Sequence, residues 1–335
     1  MQNQIVEKTK LLDKKGHLIQ KGYATKMNFI YNKENVKSFP LKLKEWNFYQ
    51  FIKDTYSLQL TIGHVSYACS INATLIDLKT GNRHEIGAFK LLKTPKLDLD
   101  PEGYSYNEYK DENLFMSFEV FEDKRILIVK GKNEKYKNVE ISLDIENDIN
   151  NEKMVIATPF KKKKQFYLNY KENYYKVIGF VKFDDYEVNF DNATGLIDWG
   201  RGVWPHEARW YWGNGNCHLP GGHIFGFEIG WGFGDMSHAT ENAIFYDGVL
   251  HKLEEVYVVK DDNDYMKPWK FTSNDGRFEM TMVPEFDNYN SSRIGNIVGN
   301  VCHQVFGKWS GKVILDDGTV LEIKDMLAFC EESHN

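Results

Sequence analysis

A short stretch in the second half of the sequence concentrates side chains that can exchange protons. Residues 198–215, D-W-G-R-G-V-W-P-H-E-A-R-W-Y-W-G-N-G, hold Asp198, His206 and Glu207 beside four of the chain's eight tryptophans. An acid beside indole rings is desolvated, which raises its pKa and suits a general acid. The rings can also stabilise a cationic intermediate through their quadrupoles. We therefore predict acid catalysis, with Asp198, His206 and Glu207 as candidate catalytic residues.

The same stretch predicts the wall of a binding pocket. Tryptophans concentrated in this way fill a large core or cover a flat, apolar ligand. In the next predicted strand, residues 223–231, His223 shares one face with aromatic residues, and Glu228 lies on the opposite face between two glycines. The candidate ligand-binding residues are Trp199, Arg201, Trp204, Arg209, Trp210, Trp212, His223 and Glu228.

The faces of the central segment admit two interpretations. If residues 204–212 form a strand opened by Pro205, the tryptophans and His206 share one face, and Glu207 and Arg209 share the other. If the tryptophan face lines the pocket, His206 is the proton donor or acceptor and Glu207–Arg209 is a structural ion pair. If the polar face lines it, Glu207 is the acid and the tryptophans are core.

Other site chemistries find little support in the sequence. Histidines 206, 218, 223 and 238 lie close together, but no H-E-x-x-H or comparable ligand spacing occurs, so no metal is predicted. The glycine-rich fragments lack the strand–turn–helix context of a phosphate loop, and no cofactor is predicted. Covalent acyl transfer is disfavoured because no G-x-S-x-G motif is present.

Composition places the chain among ordinary globular proteins. Its 335 residues are 42% hydrophobic and 27% charged, with a net charge of −6, so a basic nucleic-acid-binding surface is not expected. Four scattered cysteines predict free thiols. The N-terminus has no apolar signal core, and no apolar run approaches the ~18 residues of a membrane helix. We expect no transmembrane segment and a cytoplasmic location.

The elements that must position these residues are strands. Alternating segments such as 56–65, 83–91 and 114–121 are rich in aromatic and β-branched residues, and X-Asp-Gly turns recur in the second half. Almost no segment has helical periodicity. We predict an all-β protein of two antiparallel β-barrels or curved sheets packed together, each of roughly eight strands. The expected parts are an arm at 1–40, a first barrel at 41–194, and a second at 195–335 carrying the tryptophan-rich motif.

Several motifs resemble those of a bacterial family with a domain of unknown function, number 2804. They span nearly the whole chain: L-L-D-K-K-G-H-L near the N-terminus, D-W-G-R-G-V-W-P at 198–205, W-Y-W-G-N-G at 210–215, T-E-N-A-I-F-Y-D-G at 240–248, K-F-T-S-N-D-G-R-F-E-M at 270–280 and F-G-K-W-S-G-K-V-I-L-D-D-G-T near the C-terminus. That family is distantly similar to the group of carotenoid 1,2-hydratases and tocopherol cyclases. The resemblance implies two lipocalin-like (calycin-type) barrels. No stretch of this sequence matches the hydratase motifs residue by residue, so the resemblance assigns no catalytic residue.

Two classes of function follow from the sequence. In the first, the protein is a hydratase, isomerase or cyclase that acts by acid catalysis on an unsaturated lipid or terpenoid. In the alternative, it is a non-catalytic carrier or sensor of an apolar or aromatic small molecule, and the titratable residues only hold loops and strands. Sugar binding on tryptophan platforms is a third, less favoured class. The expected partner is therefore a small molecule.

Overall fold

The structure is a computed structural model that describes residues 2–39, 42–65, 67–92, 95–97, 101–205, 208–294 and 298–334. The strands of the first part are β1 (Thr9–Lys10), β2 (Gly22–Ala24), β3 (Phe29–Ile30), β4 (Lys44–Lys53), β5 (Tyr56–Val65), β6 (Ala68–Asp77), β7 (Arg83–Leu91), β8 (Ser105–Lys110), β9 (Leu114–Val120), β10 (Lys124–Gly131), β11 (Val139–Glu146), β12 (Met154–Pro159), β13 (Phe166–Phe183), β14 (Tyr186–Asn189) and β15 (Ala193–Val203). Those of the second part are β16 (Arg209–His218), β17 (Ile224–Trp231), β18 (Ala243–Tyr246), β19 (Val249–Lys252), β20 (Val256–Val259), β21 (Trp269–Ser273), β22 (Phe278–Ile294), β23 (Val298–Ile314) and β24 (Val320–His334).

Two curled antiparallel sheets form most of the molecule, and β1 and β3 form a separate two-stranded parallel sheet. The first has the order β7-β6-β5-β4-β15-β13-β11-β10-β9-β8, with β12 and β14 also paired to β13 and β2 paired to β12. The second has the order β19-β18-β17-β16-β24-β23-β22-β21-β20. Short 3₁₀ turns include Lys33–Asn35 and Pro220–Gly222, and the described part of the chain contains no α-helix. The predicted all-β class with two curved antiparallel sheets is confirmed.

Strict alternation along the strands gives each sheet two distinct faces. In β4, Tyr49 and Phe51 point into the core of the first sheet, whereas Trp46 and Phe48 point towards the second. The second sheet has a core of its own around Phe227, Trp269 and Trp309. A smaller cluster lies between the sheets and holds them together: Ile76, Leu78, Leu196, Trp212, Phe306 and Phe329.

The segment considered as one strand at 204–212 divides between two parts of the fold: Trp204 and Pro205 follow the end of β15, and residues 209–212 open β16. β15 ends at Val203 and pairs with β4 and β13, whereas β16 begins at Arg209 and pairs with β17 and β24. Pro205 lies between them and cannot donate a ladder hydrogen bond. The expected division at 194/195 falls inside β15, so the chain changes sheet after Val203. The arm at 1–40 contributes β2 to the first sheet.

Candidate functional site

Strand register builds the candidate site from two rows of side chains that face each other. In the first sheet, the pairs β13–β15–β4–β5 align Lys171, Asp198, Phe48 and Thr61 in one row. In the second sheet, the pairs β16–β24–β23–β22 align Trp212, Glu331, Gln304 and Asn288. Both rows line one cavity of about 380 Å³ between the sheets. That size suits a small organic molecule.

Aromatic rings crowd one end of the cavity. The Trp46 and Trp204 rings meet edge to face with centroids 5.5 Å apart, and Tyr167 lies 5.8 Å from Trp204. Phe233 packs edge-on against Tyr167, Trp204 and Trp210, with centroid distances of 5.0, 5.3 and 5.2 Å. Edge-to-face contacts of this kind fix ring positions. This end therefore offers a rigid, apolar wall.

Three tryptophans each orient one carboxylate. Trp46 Nε1 donates to Asp198 Oδ2 at 3.0 Å, and Asn169 Nδ2 donates to the other oxygen of Asp198. The Trp210 and Trp212 indoles donate in the same way, to Glu331 Oε1 at 3.1 Å and to Glu228 Oε1 at 2.6 Å. The tryptophans thus serve as hydrogen-bond donors to acids as well as apolar surface.

Glu331 has the properties of a general acid. Its side chain lines the cavity but is otherwise surrounded by protein, and this burial raises its pKa to about 7. Trp210 and Lys171 oppose the rise, whereas the negative charge of Asp198 adds to it. Oε1 accepts from Trp210, so we place the proton of the neutral acid on Oε2, which also accepts the weaker thiol hydrogen bond from Cys302 Sγ at 3.6 Å. A carboxyl group titrating near neutral pH can both donate and take back a proton.

Lys171 is the ammonium group at the other side of the cavity. Its Nζ lies 2.8 Å from Glu228 Oε1, 3.0 Å from Glu241 Oε2 and 4.2 Å from the centre of the Trp212 ring. Burial would lower its pKa, but Glu228 and Glu241 more than compensate and raise it. Burial raises the pKa of Glu228, and the donors Lys171 and Asn214 limit that rise. Lys171 therefore stays charged and is held on both sides by carboxylates.

Amide side chains form the end of the cavity opposite the tryptophans. Gln59 Nε2 and Asn288 Nδ2 both donate to Gln304 Oε1, at 2.6 and 3.0 Å. Gln50 Oε1 accepts from Gln59 Nε2 at 3.1 Å. Asn288 Oδ1 is buried and has no hydrogen-bond partner within the described structure. An orphaned acceptor at the cavity wall is suited to a ligand donor, because burial without one costs free energy.

A comparison with protein families identifies the chain. The model of the family described as "Domain of unknown function (DUF2804)" matches residues 2–335. The protein belongs to the DUF2804 family. The resemblance noted in the sequence motifs is thereby confirmed. No curated protein matches the sequence.

Two solved structures share the fold of this DUF2804 protein. Kievitone hydratase from Nectria haematococca superposes with a TM-score of 0.50 at 11% identity, covering 92% of this chain and 95% of its own. The protein CghA, solved with Sch210972, gives a TM-score of 0.53 at 11% identity, covering 95% of this chain and 93% of its own. Similarity at this identity establishes the fold.

Several predicted site residues of the DUF2804 protein meet at the cavity. Asp198, Trp204, Trp210 and Trp212 all line it. Glu228 lies just behind the wall, fully buried, where it holds Trp212 and Lys171. His206 and Glu207 lie outside the described residues, so their roles stay predictions.

Trp199 and Arg201 lie away from the cavity, which corrects the expectation that they border it. They alternate with Asp198 along β15 and therefore point into the core of the first sheet. Arg201 donates to the carbonyls of Trp46 and Gly200 at 2.6 and 2.9 Å, and its guanidinium lies 4.0 Å from the Trp199 ring. Burial lowers the pKa of Arg201 to about 10. Both residues support the strands that carry Asp198 and Trp46.

Arg209 and His223 also lie away from the cavity. Arg209 Nε donates to Glu332 Oε1 at 2.8 Å on the far face of the second sheet, so an Arg209–Glu207 pair is not needed to satisfy Arg209. His223 is exposed and its Nδ1 lies 2.7 Å from Asp247 Oδ2, next to the Tyr246 ring. These contacts hold strand ends together.

Sequence reasoning missed much of the cavity wall. Glu331, Lys171 and Phe233 belong to no motif, and Glu241 lies in the motif at 240–248 without having been predicted as a site residue. Only their positions in the folded sheets bring these four residues together. A partial signal was present in β4, where Trp46 and Phe48 alternate with polar residues. Among the described residues, no group of three or more His, Cys, Asp and Glu side chains could hold a metal ion, and no helix could span a membrane.

Proposed function

We propose that this protein is an enzyme that adds water to, isomerises or cyclises an unsaturated lipid or terpenoid by acid catalysis. The observation that carries the proposal is Glu331: a buried carboxyl group with a pKa raised to about 7, facing a cavity lined with aromatic rings. An acid with this pKa is half-protonated at neutral pH, which is the condition for efficient general acid catalysis.

In the first step, Glu331 Oε2 transfers its proton to one carbon of a substrate double bond. The π electrons form the new C–H bond, and the neighbouring carbon becomes cationic. Trp210, Trp212 and Trp204 line the cavity and present electron-rich rings to this charge. The Glu331 carboxylate left behind keeps its hydrogen bond from Trp210.

In the second step, Asp198 completes the reaction from the facing sheet. Its carboxylate accepts a proton either from a water molecule that adds to the cation, giving an alcohol, or from an adjacent carbon, giving an isomer. Trp46 and Asn169 hold the carboxylate in place by donating to its two oxygens. The proton returns to Glu331 through solvent, so the enzyme is restored. In cyclisation, a second double bond attacks the cation before the proton is lost.

The structural relatives support this class of reaction by analogy only. One of them is named a hydratase, and the other was solved with a small molecule, Sch210972. Fold similarity raises the expectation of small-molecule chemistry between the sheets, whereas the type of reaction depends on Glu331 and Asp198.

The test is product analysis by mass spectrometry after incubation with a panel of neutral, unsaturated terpenoids. Hydration adds the mass of water, and isomerisation or cyclisation changes retention at constant mass. With a substrate found, Glu331→Gln should lower kcat by roughly 10²–10⁴-fold, the usual contribution of a general acid. Glu322→Gln, an exposed glutamate on the same strand β24, is the matched control and should keep full activity.

Undiminished turnover by Glu331→Gln would contradict the assignment of Glu331. Binding of several panel members without conversion of any would instead support the alternative, a non-catalytic carrier or sensor of an apolar or aromatic ligand. The cytoplasmic location stays a prediction of the sequence.

A further inference from the structure

We infer that the cavity selects an uncharged or cationic substrate that carries a hydroxyl group at one end, and that it rejects carboxylates. The inference rests on the proposed function for the location of the reacting double bond, next to Glu331. It goes further by naming the chemistry that a substrate must have. Two independent features of the cavity carry it: its charges and its row of amides.

The charges of the cavity wall are unfavourable to an anion. Asp198, Glu241 and Glu331 line the cavity, and Lys171 is the one cationic residue among the described residues that line it. Lys171 already contacts Glu228 and Glu241 at 2.8 and 3.0 Å. A substrate carboxylate would therefore face carboxylates without an uncommitted cation to pair with. Burying an unpaired charge in such a place is strongly disfavoured.

Lys44 is the other ammonium group close to the rings. Its Nζ lies 4.3 Å from the centre of the Trp204 ring, and it is not part of the described cavity lining. Burial and the nearby Lys42 lower its pKa to about 8, so its positive charge weakens just above neutral pH. Lys44 therefore does not offset the acids in the middle of the cavity.

The amide row specifies the polar end of the substrate. Across the second sheet, Glu331 is followed in register by Gln304 on β23 and by Asn288 on β22. Neighbouring strands lie about 4.8 Å apart, which puts these amides roughly 5 and 10 Å from Glu331. Asn288 Oδ1 has no partner and can accept from a hydroxyl group. The polar group of the substrate therefore lies several bonds from the double bond that is protonated.

The charge of the cavity can be tested without knowing the substrate, because Cys302 lines it next to Glu331. The wild-type protein is treated at pH 8 with three small methanethiosulfonate reagents: methyl (neutral), trimethylammonium-ethyl (cationic) and sulfonatoethyl (anionic). Rates at Cys302 are followed by peptide mass spectrometry and divided by the rates of the same reagents with free 2-mercaptoethanol. Cys302→Ser provides the background, to which half-buried Cys217 contributes.

We expect the normalised rate of the cationic reagent to exceed that of the anionic reagent by at least about tenfold. The Coulomb energy of an uncompensated charge a few ångströms away inside a protein is larger than the free-energy difference that a tenfold ratio of rates requires. Glu331→Gln should move the ratio towards one. An anionic reagent that reacts as fast as the cationic one would overturn the inference. Burial and the charge of Glu331 raise the pKa of the Cys302 thiol, so all three reagents react slowly and the ratio of their rates is the readout.

The polar end of the cavity is tested by measuring the affinities of farnesol, farnesylamine, farnesoic acid and farnesene. Binding of each compound is monitored through the quenching of tryptophan fluorescence. Farnesol and farnesylamine should bind at least about tenfold more tightly than farnesoic acid at pH 8. Asn288→Leu should weaken farnesol about fivefold or more and leave farnesene, which has no polar group, unchanged. Equal affinities for farnesol and farnesoic acid, or no binding by any of the four, would overturn the inference.

These outcomes are separable from those of the proposed function. A cavity that prefers cations and alcohols but converts no substrate keeps this inference and removes the enzymatic one. If the protein instead converts a carboxylate substrate, and this conversion depends on Glu331, the proposed function stands and the inference about substrate charge is wrong.

Discussion

At the scale of single residues, the site depends on how indole N–H groups and carboxylates are matched. Trp46, Trp210 and Trp212 each donate to a different acid, yet only Glu331 combines a cavity position with a pKa raised to about 7. Asp198 faces the cavity from the other sheet and is held by two donors, Trp46 and Asn169. The proposed acid and the proposed base therefore lie on opposite walls of the cavity.

The raised pKa of Glu331 has a consequence for stability. Between pH 4.5 and about 7 the folded protein keeps a proton that the unfolded chain releases, so this group's stabilising contribution is lost as pH rises through that window. Relative to wild type, Glu331→Gln should therefore gain about 2 kcal/mol in the free energy of unfolding between pH 5 and pH 8, allowing for partial exposure. Urea denaturation at both pH values measures this. A constant difference between the two proteins would show that burial does not perturb Glu331.

At the scale of elements, β4 and β15 form one unit that delivers both Trp46 and Asp198. The two strands pair in register, so Gly200 lies opposite Trp46 and Asp198 opposite Phe48. The missing side chain of Gly200 leaves room for the indole ring, which can then reach the carboxylate. The glycine is thus part of the site, because close approach of a ring to the backbone excludes a Cβ.

Gly200→Ala should damage the site through Trp46. A Cβ at Gly200 would lie 2.2 Å from Trp46 Cζ2, so the ring must move and its 3.0 Å hydrogen bond to Asp198 must break. We expect a loss of about 1–3 kcal/mol in the free energy of unfolding, typical of overpacking, together with weaker ligand binding. Gly63→Ala on β5 is the milder control. Its Cβ would lie 3.3 Å from Trp46 Cβ, and its stability should stay within about 1 kcal/mol of wild type.

Chemical denaturation of both variants measures the free energy of unfolding, and titration with farnesol monitored by tryptophan fluorescence measures ligand binding. Equal behaviour of Gly200→Ala and Gly63→Ala would mean that contact of Trp46 with the β15 backbone does not position the site.

At the scale of the whole molecule, polar and charged contacts join the two sheets beside the cavity. Lys171 of the first sheet binds Glu228 of the second, and Asn173 Oδ1 accepts from Asn214 and Asn216 at 3.0 and 3.1 Å. All these groups are buried. Separation of the two sheets would break these pairs and open the cavity at the same time. The integrity of the site is therefore coupled to the packing of the sheets.

Lys171→Met should therefore destabilise the whole protein. It leaves Glu228 and Glu241 without their common ammonium partner, and loss of one member of a buried ion pair typically costs about 3–5 kcal/mol. The double variant Lys171→Met/Glu228→Gln removes one of the stranded charges and should recover part of the loss. Chemical denaturation of wild type, both single variants and the double variant gives the coupling energy. A coupling energy near zero would contradict a direct Lys171–Glu228 interaction.

The sequence by itself determined the class of structure and one part of the site. Alternating aromatic and β-branched residues and Asp-Gly turns are local signals, so strands such as β5 and β7 lie where the pattern predicts them. The density of tryptophans near Asp198 likewise indicated an aromatic cavity. Family motifs along the chain added the two-sheet architecture.

The tertiary structure alone decided which groups face the cavity. Trp199 and Asp198 are adjacent, yet alternation sends one into the core and the other to the cavity, and only the packing of the sheets shows which is which. Glu331 lies 121 residues from Trp210, and β16–β24 pairing brings them together. Its pKa follows from burial and from neighbours on other strands. Such long-range pairings leave no local trace in the sequence, because each strand's own pattern is satisfied by many partners.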